Sequence, residues 1–147
     1  MEPERERELL RRAVTLASII EKETGLPEER ALISSVFHNR LRRGMRLQAD
    51  PTVIYGLRVA GIPWERAVLH EYVRTPGPYN TYANDGLPPG PIGNPGLAAL
   101  RAALQPTPSK YLYFVANGDG SHRFSTTLDQ HNEAIADLRR ATNVGTP

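Results

Sequence analysis

Cysteine is absent from the 147 residues, lysine occurs only at Lys22 and Lys110, and no apolar run approaches the roughly 18 residues that span a bilayer. The first absence excludes disulfides, thiolate metal sites and cysteine nucleophiles. It leaves the redox compartment open, because a cysteine-free domain is at home in reducing and oxidising surroundings alike. The opening segment MEPERERELLRR is charged instead of apolar, so any membrane anchor or signal is expected only in sequence outside this chain. A large excess of one charge is also missing. The formal net charge is +2, which is no polyanion signal, and the aromatics are not interleaved with basic residues, so nucleic acid is not an expected partner. The densest basic run, with Arg40, Arg42, Arg43 and Arg46, reads as a solvated helix end whose cations complement the helix dipole.

What is present is an ordinary globular composition, with 39% hydrophobic and 23% charged residues. The length suits a single domain over 1–147. Thirteen prolines and 12 glycines crowd the middle and divide the chain into three parts. In the first, Leu9, Ala13, Leu16, Ile19 and Ile20 follow helical spacing, which predicts a helix over about 4–24 with Gly25 as its cap. Pro27 opens a second helix with a stripe of Leu32, Ile33, Val36, Phe37 and Leu41, ended by Gly44. Asp50-Pro51 reads as cap and first turn of a short helix through Tyr55.

The middle part holds a helix near Trp64 to Tyr72, the polar segment Tyr79-Asn80-Thr81-Tyr82, and the loop GLPPGPIGNPG, stiff enough to wall a groove. Asn94-Pro95 then starts an alanine-rich helix to Leu104. Residues 111–115 and 122–126 form a hairpin around the turn Asn117-Gly118-Asp119-Gly120, and a last helix runs over about 128–140. The fold class is α+β, mainly helical with one β-hairpin at about 111–126.

Few residues carry chemistry. His70-Glu71 lacks a second histidine at i+4, and His122 and His131 are too isolated to define a site, so no metal is expected. No glycine-rich phosphate loop follows a strand and no nucleophile elbow surrounds Ser34 or Ser35, so no cofactor is expected either. The segment LASIIEKETG remains, with two glutamates two residues apart. At about 100° per residue, Glu23 falls roughly 20° from Leu16, between Ile19 and Ile20, whereas Glu21 points about 140° away. A carboxyl against that apolar stripe loses solvation of its charged form, stays protonated near neutral pH and can act as a general acid. The alternative is that Glu23, in the last helical turn, is an exposed residue at the stripe's edge.

The segments LASIIEKET, SVFHNRL, GMRLQADPTVIYG, YNTY, GLPPGPI, NPG and YLYFVANGDGSHRFSTTLDQHN, in this order, closely resemble the MltG (YceG-like) family of endolytic murein transglycosylases. The resemblance covers about residues 13–138, with little signal in Leu57 to Pro78. The family is similar to lysozyme-like lytic transglycosylases, which use a glutamate followed by serine, a Gly-Leu-Met-Gln segment and a Tyr-Asn pair. Glu23-Thr24, the looser Gly44-Met45-Arg46-Leu47-Gln48, and Tyr79-Asn80 match these in turn.

The resemblance implies a lysozyme-like catalytic domain. Its activity would be cleavage between N-acetylmuramic acid and N-acetylglucosamine, leaving 1,6-anhydro ends. Glu23 would be catalytic, and Gln48, Tyr79, Asn80, Ser125 and Asn132 would contact substrate. Asp50 is the best second carboxyl, but its place before Pro51 is more simply that of a helix cap, and Glu21 is then a surface or supporting residue. Peptidoglycan glycan strands are the implied partner, with peptidoglycan synthases as possible others. The location would be the cell envelope, at the periplasmic or extracytoplasmic face of the inner membrane, through an anchor that, like the family's LysM-like region, is not in this chain. Competing readings are a muramidase-type hydrolase, a non-catalytic peptidoglycan-binding module, and a pyridoxal-phosphate lyase, which the lack of a cofactor domain argues against.

Overall fold

In the computed structural model, which describes residues 2–144, the N-terminal segment is a single helix, α1 (Pro3–Glu23). Its two halves differ. Residues 2–12 are exposed, including Leu9 and Leu10, whereas every residue from Thr15 to Ile20 is buried. A helix covered all round must satisfy its polar groups internally. The Thr15 hydroxyl donates to the Arg11 carbonyl at 2.7 Å, and the Ser18 hydroxyl donates to the Thr15 carbonyl at 2.6 Å.

The helix ends without the glycine cap expected at Gly25. Thr24 is extended (φ −145°) and stops the chain directly, and its hydroxyl accepts the Leu26 amide at 3.0 Å.

After a 3₁₀ turn at Pro27–Glu29 comes α2 (Arg30–Arg42), ended by Gly44 at φ +70°, a left-handed conformation that glycine adopts without strain. The next helix, α3 (Asp50–Val59), runs past the expected end at Tyr55, because Leu57 fills a second apolar cluster with Val53 and Leu69. The helix expected near Trp64 to Tyr72 is a 3₁₀ turn, Arg66–Val68, followed by α4 (Leu69–Tyr72). α5 (Leu97–Leu104) starts two residues after Pro95, with Gly96 at its N-cap. The hairpin pairs β1 (Tyr113–Ala116) with β2 (His122–Ser125) antiparallel, Tyr113 opposite Ser125 and Ala116 opposite His122. α6 (Leu128–Val144) completes the described chain.

The fold is thus α+β, as expected. α1 packs most extensively on α5 and also meets α2 and α3. The main core gathers Leu16, Ile19 and Ile20 of α1, Ile33 and Phe37 of α2, and Ala99, Ala102 and Ala103 of α5. Small alanines on α5 allow its backbone to approach the buried half of α1. That half delivers Glu23 to the edge of the core.

The loop over residues 86–96 is a strap across α1 more than a groove wall. The Ile92 amide donates to the Ser18 hydroxyl at 3.0 Å, and the Gly96 amide donates to the Glu21 carboxylate at 2.7 Å.

Candidate active site

Two cavities of ≈ 370 and ≈ 390 Å³ meet at the C-terminal end of α1, and Glu23, Asp50, Ala116 and His122 line both. They are two arms of one groove with Glu23 at the junction. The first arm is completed by Arg40, Leu47, Gln48, Tyr82, Phe114 and His131. Lys22, Pro51, Ile54, Tyr55, Arg58, Arg66 and Ile92 complete the second.

Glu23 is half-buried at this junction. Its pKa is pushed up from 4.5 to about 8, first because burial strips water from the carboxylate and second because the Asp50 carboxylate repels it. Both influences favour the proton, so Glu23 is a carboxylic acid at neutral pH. Glu21, on the other side of the helix, is spent on structure: besides the Gly96 amide it holds Arg30 at 3.8 Å.

The groove edge opposite α1 is stitched from two distant pieces of sequence. The Thr52 and Thr81 hydroxyls share a hydrogen bond of 2.8 Å, the Ala49 amide donates to the Thr81 hydroxyl at 2.9 Å, and the Gln48 amide donates to the Thr81 carbonyl at 3.3 Å. Both threonines are buried. This clamp holds Gln48 at φ +51°, a left-handed conformation costly for a residue with a side chain, and keeps its exposed side chain at the groove.

Asp50 does not act as the helix cap. Ala49 occupies the N-cap, with no side-chain bond to the helix amides, and Asp50 instead accepts the Tyr82 hydroxyl at 2.6 Å. Burial and the hydrogen bond to Asp50 push the Tyr82 pKa up, so its phenol remains a donor.

The hairpin side is built around Arg40. It is buried, not solvated as its place in a basic run suggests. Nε donates to the Leu112 carbonyl at 2.6 Å, Nη1 donates to the Arg46 carbonyl at 2.8 Å, and the guanidinium lies 5.0 Å from the centre of the Tyr113 ring. The other basic residues of the run, Arg42, Arg43 and Arg46, are exposed as expected. His131 of α6 stacks on Tyr113 at 5.0 Å. Burial and then Arg40 lower its pKa, which disfavours the charged imidazolium. The Glu29 carboxylate grips β2, accepting the His122 amide at 3.0 Å and lying 2.8 Å from His122 Nδ1. The two histidines, one on β2 and one on α6, line the same groove arm.

Of the residues expected from sequence, Glu23 and Gln48 meet in the groove and four others lie outside its lining. Tyr79 packs edge-on against Tyr55 at 4.8 Å and lines a separate apolar cavity of ≈ 240 Å³. Asn80 is buried and fully engaged: its amide donates to the Val73 and Thr75 carbonyls, both at 2.8 Å, and its carbonyl oxygen accepts the Tyr82 amide at 2.9 Å. Ser125 is buried on β2, with its carbonyl accepting the Leu112 amide at 3.0 Å. Asn132 is exposed on α6.

Sequence reasoning missed Tyr82, the last letter of the motif whose first two letters it chose, and it missed Arg40, His122 and His131. The usable signal was that all four lie inside matched segments: Tyr82 in YNTY, Arg40 in SVFHNRL, and both histidines in the hairpin segment. Among the described residues no cluster of histidine and acidic side chains is arranged to hold a metal, and no helix is long and apolar enough to cross a membrane.

The model of the YceG-like family matches residues 2–137. The chain belongs to this family. Over 121 residues it is 47% identical to an endolytic murein transglycosylase of Bacillus subtilis, covering 82% of this chain and 32% of that protein. Over 129 residues it is 36% identical to an endolytic murein transglycosylase of Streptococcus pneumoniae, covering 84% of this chain and 23% of that one. A crystal structure of a YceG-like protein from Listeria monocytogenes superposes with a TM-score of 0.78 at 45% identity, over 89% of this chain and 42% of the other. This YceG-like chain thus spans a third or less of the length of its curated relatives.

Proposed function

We propose that this chain is the catalytic domain of an endolytic murein transglycosylase, with Glu23 as its single acid and base. The observation that carries the proposal is a carboxyl, its pKa pushed up to about 8, at the junction of the two arms of one groove. An endolytic enzyme needs such a groove, because a strand cut internally must continue past the cut in both directions.

In the first step Glu23 gives its proton to the glycosidic oxygen as the bond from C1 of N-acetylmuramic acid breaks. In the second, the Glu23 carboxylate takes the proton of the C6 hydroxyl as that oxygen bonds to C1, closing the 1,6-anhydro ring. The proton returns to Glu23 and no water is consumed.

Gln48 and the Tyr82-bound Asp50 carboxylate face the cleavage point, where the negative charge of Asp50 would favour the cationic character developing at C1. The family relatives are named for murein, which supports a location in the cell envelope; cleavage of glycan strands would put the chain on the outer side of the cytoplasmic membrane, with peptidoglycan synthases as candidate partners.

Asp50 also supports a second reading. Two carboxyls in one groove can hydrolyse a glycoside, one as acid and the other acting on water or on C1. Mass spectrometry of digested glycan strands separates the two. Transglycosylation yields anhydro-muramic ends, and Glu23→Gln abolishes them, with a fall in rate of about 10³-fold. Reducing, hydrated ends in the wild-type digest would replace the first reading by the second.

A further inference from the structure

The second arm of the groove carries a feature that cleavage does not need. Lys22 of α1, Arg58 of α3 and Arg66 of the 3₁₀ turn line it together with Glu23. All three are exposed, and none forms an ion pair with another described residue. Four other arginines are ion-paired: Arg30 with Glu21, Arg46 with Asp85, Arg123 and Arg140 with Asp137.

The two arginines are nevertheless held in place. Their guanidinium carbons lie 5.9 and 5.8 Å from the centre of the Trp64 ring, and Trp64 packs against the cluster of Val53, Leu57 and Leu69. Two unpaired guanidinium groups, backed by an aromatic ring and lining a cavity that also reaches the acid, suit anionic groups belonging to the same ligand. Arg58, Trp64 and Arg66 all fall in Leu57 to Pro78, the stretch with little family resemblance.

We propose that Lys22, Arg58 and Arg66 recognise the carboxylates of peptide stems on the glycan strand, so that peptide-bearing strands are preferred over denuded ones. The inference rests on the proposed glycan cleavage and names the part of the substrate that this arm reads. In a peptide-bearing strand the muramic carboxyls are tied up in the amide links to the stems, so the disaccharide backbone is neutral and offers nothing for three cations, whereas the stems present carboxylates beside the strand. Guanidinium groups match carboxylates in a forked, two-bond geometry.

The test uses the Glu23→Gln protein and two glycan preparations of equal chain length, one bearing peptide stems and one freed of them by an amidase, with the muramic carboxyls so exposed then blocked as methylamides. Three screened charge contacts predict roughly a five- to tenfold tighter Kd for the peptide-bearing strands, reduced by added salt. In Arg58→Gln/Arg66→Gln the ratio of the two Kd values falls to about two or less, and in Arg58→Lys/Arg66→Lys, which restores the charges, most of it returns. Equal Kd values for the two preparations in the parent protein would overturn the inference and leave the cleavage reading intact. So would an equal loss for both preparations in the glutamine variant. Binding of neither preparation by the parent protein would overturn both.

Discussion

The two arms of the groove are made differently. On the hairpin side Arg40, His122 and Tyr82 are occupied by the protein itself: Arg40 by the Leu112 and Arg46 carbonyls, His122 by Glu29, and Tyr82 by Asp50. On the α3 side Lys22, Arg58 and Arg66 are exposed, without ion pairs to described residues. The first arm is prepared before substrate arrives and shapes the site of reaction. The second keeps its charges for a ligand. Substitutions in the first should therefore cost stability, and those in the second should alter only what is bound.

The largest effect is expected at the junction. Glu23→Gln lowers turnover by about 10³-fold, yet it should stabilise the fold above neutral pH. Folding raises the Glu23 pKa from 4.5 to about 8, so between those values the folded protein keeps a proton that the unfolded chain has released. The corresponding stability is complete below about pH 4.5 and is lost as pH rises through about 8. Glutamine has no such loss. Because Glu23 is only half-buried, we expect the variant to gain on the order of 1–2 kcal/mol over wild type at pH 9 relative to pH 5, measured by denaturant unfolding.

Next in size is Arg40→Met, which leaves two carbonyls of the hairpin arm without their donor. About 3 kcal/mol of unfolding free energy should be lost. A loss below about 0.5 kcal/mol would erase the distinction between the arms. Asn80→Ala removes three hydrogen bonds and should cost about 2 kcal/mol, with KM changed far less than if Asn80 bound sugar. A large rise in KM with an unchanged melting temperature would restore the sugar-binding role implied by the Tyr-Asn resemblance.

The smallest effect is a displacement of a pH profile. kcat/KM should fall as pH rises through about 8, because catalysis needs the protonated acid. Asp50→Asn removes the repulsion that helps raise the Glu23 pKa, so the same limb moves to lower pH. Turnover in this variant stays within about tenfold of wild type if Glu23 works alone, and drops by about 10³-fold if Asp50 is a second catalytic carboxyl.

What was legible in the sequence follows the range of the interactions involved. Helical periodicity is local, so the two faces of α1 and the separation of Glu23 from Glu21 could be read directly, as could the hairpin and the left-handed Gly44. Asp50 was misread because the Asp-Pro signal for a helix start is also local, whereas its partner Tyr82 is 32 residues away. Arg40 looked like one more solvated cation because the carbonyl of Leu112, its partner, is 72 residues distant. Tyr79 and Asn80 belong to a motif whose polar groups make internal bonds: Asn80 holds the backbone of Tyr82, and Thr81 clamps Gln48 and Ala49. The motif was informative about the site, but its contact with the groove is made by its last residue.

The central claim is that one carboxyl supplies acid and base in turn and that no water enters the product. Digestion of purified glycan strands in H₂¹⁸O, followed by mass spectrometry of the new muramic ends, tests it most directly. The account predicts anhydro ends with no ¹⁸O. New ends carrying one ¹⁸O atom each would contradict it and give Asp50 a place in the chemistry.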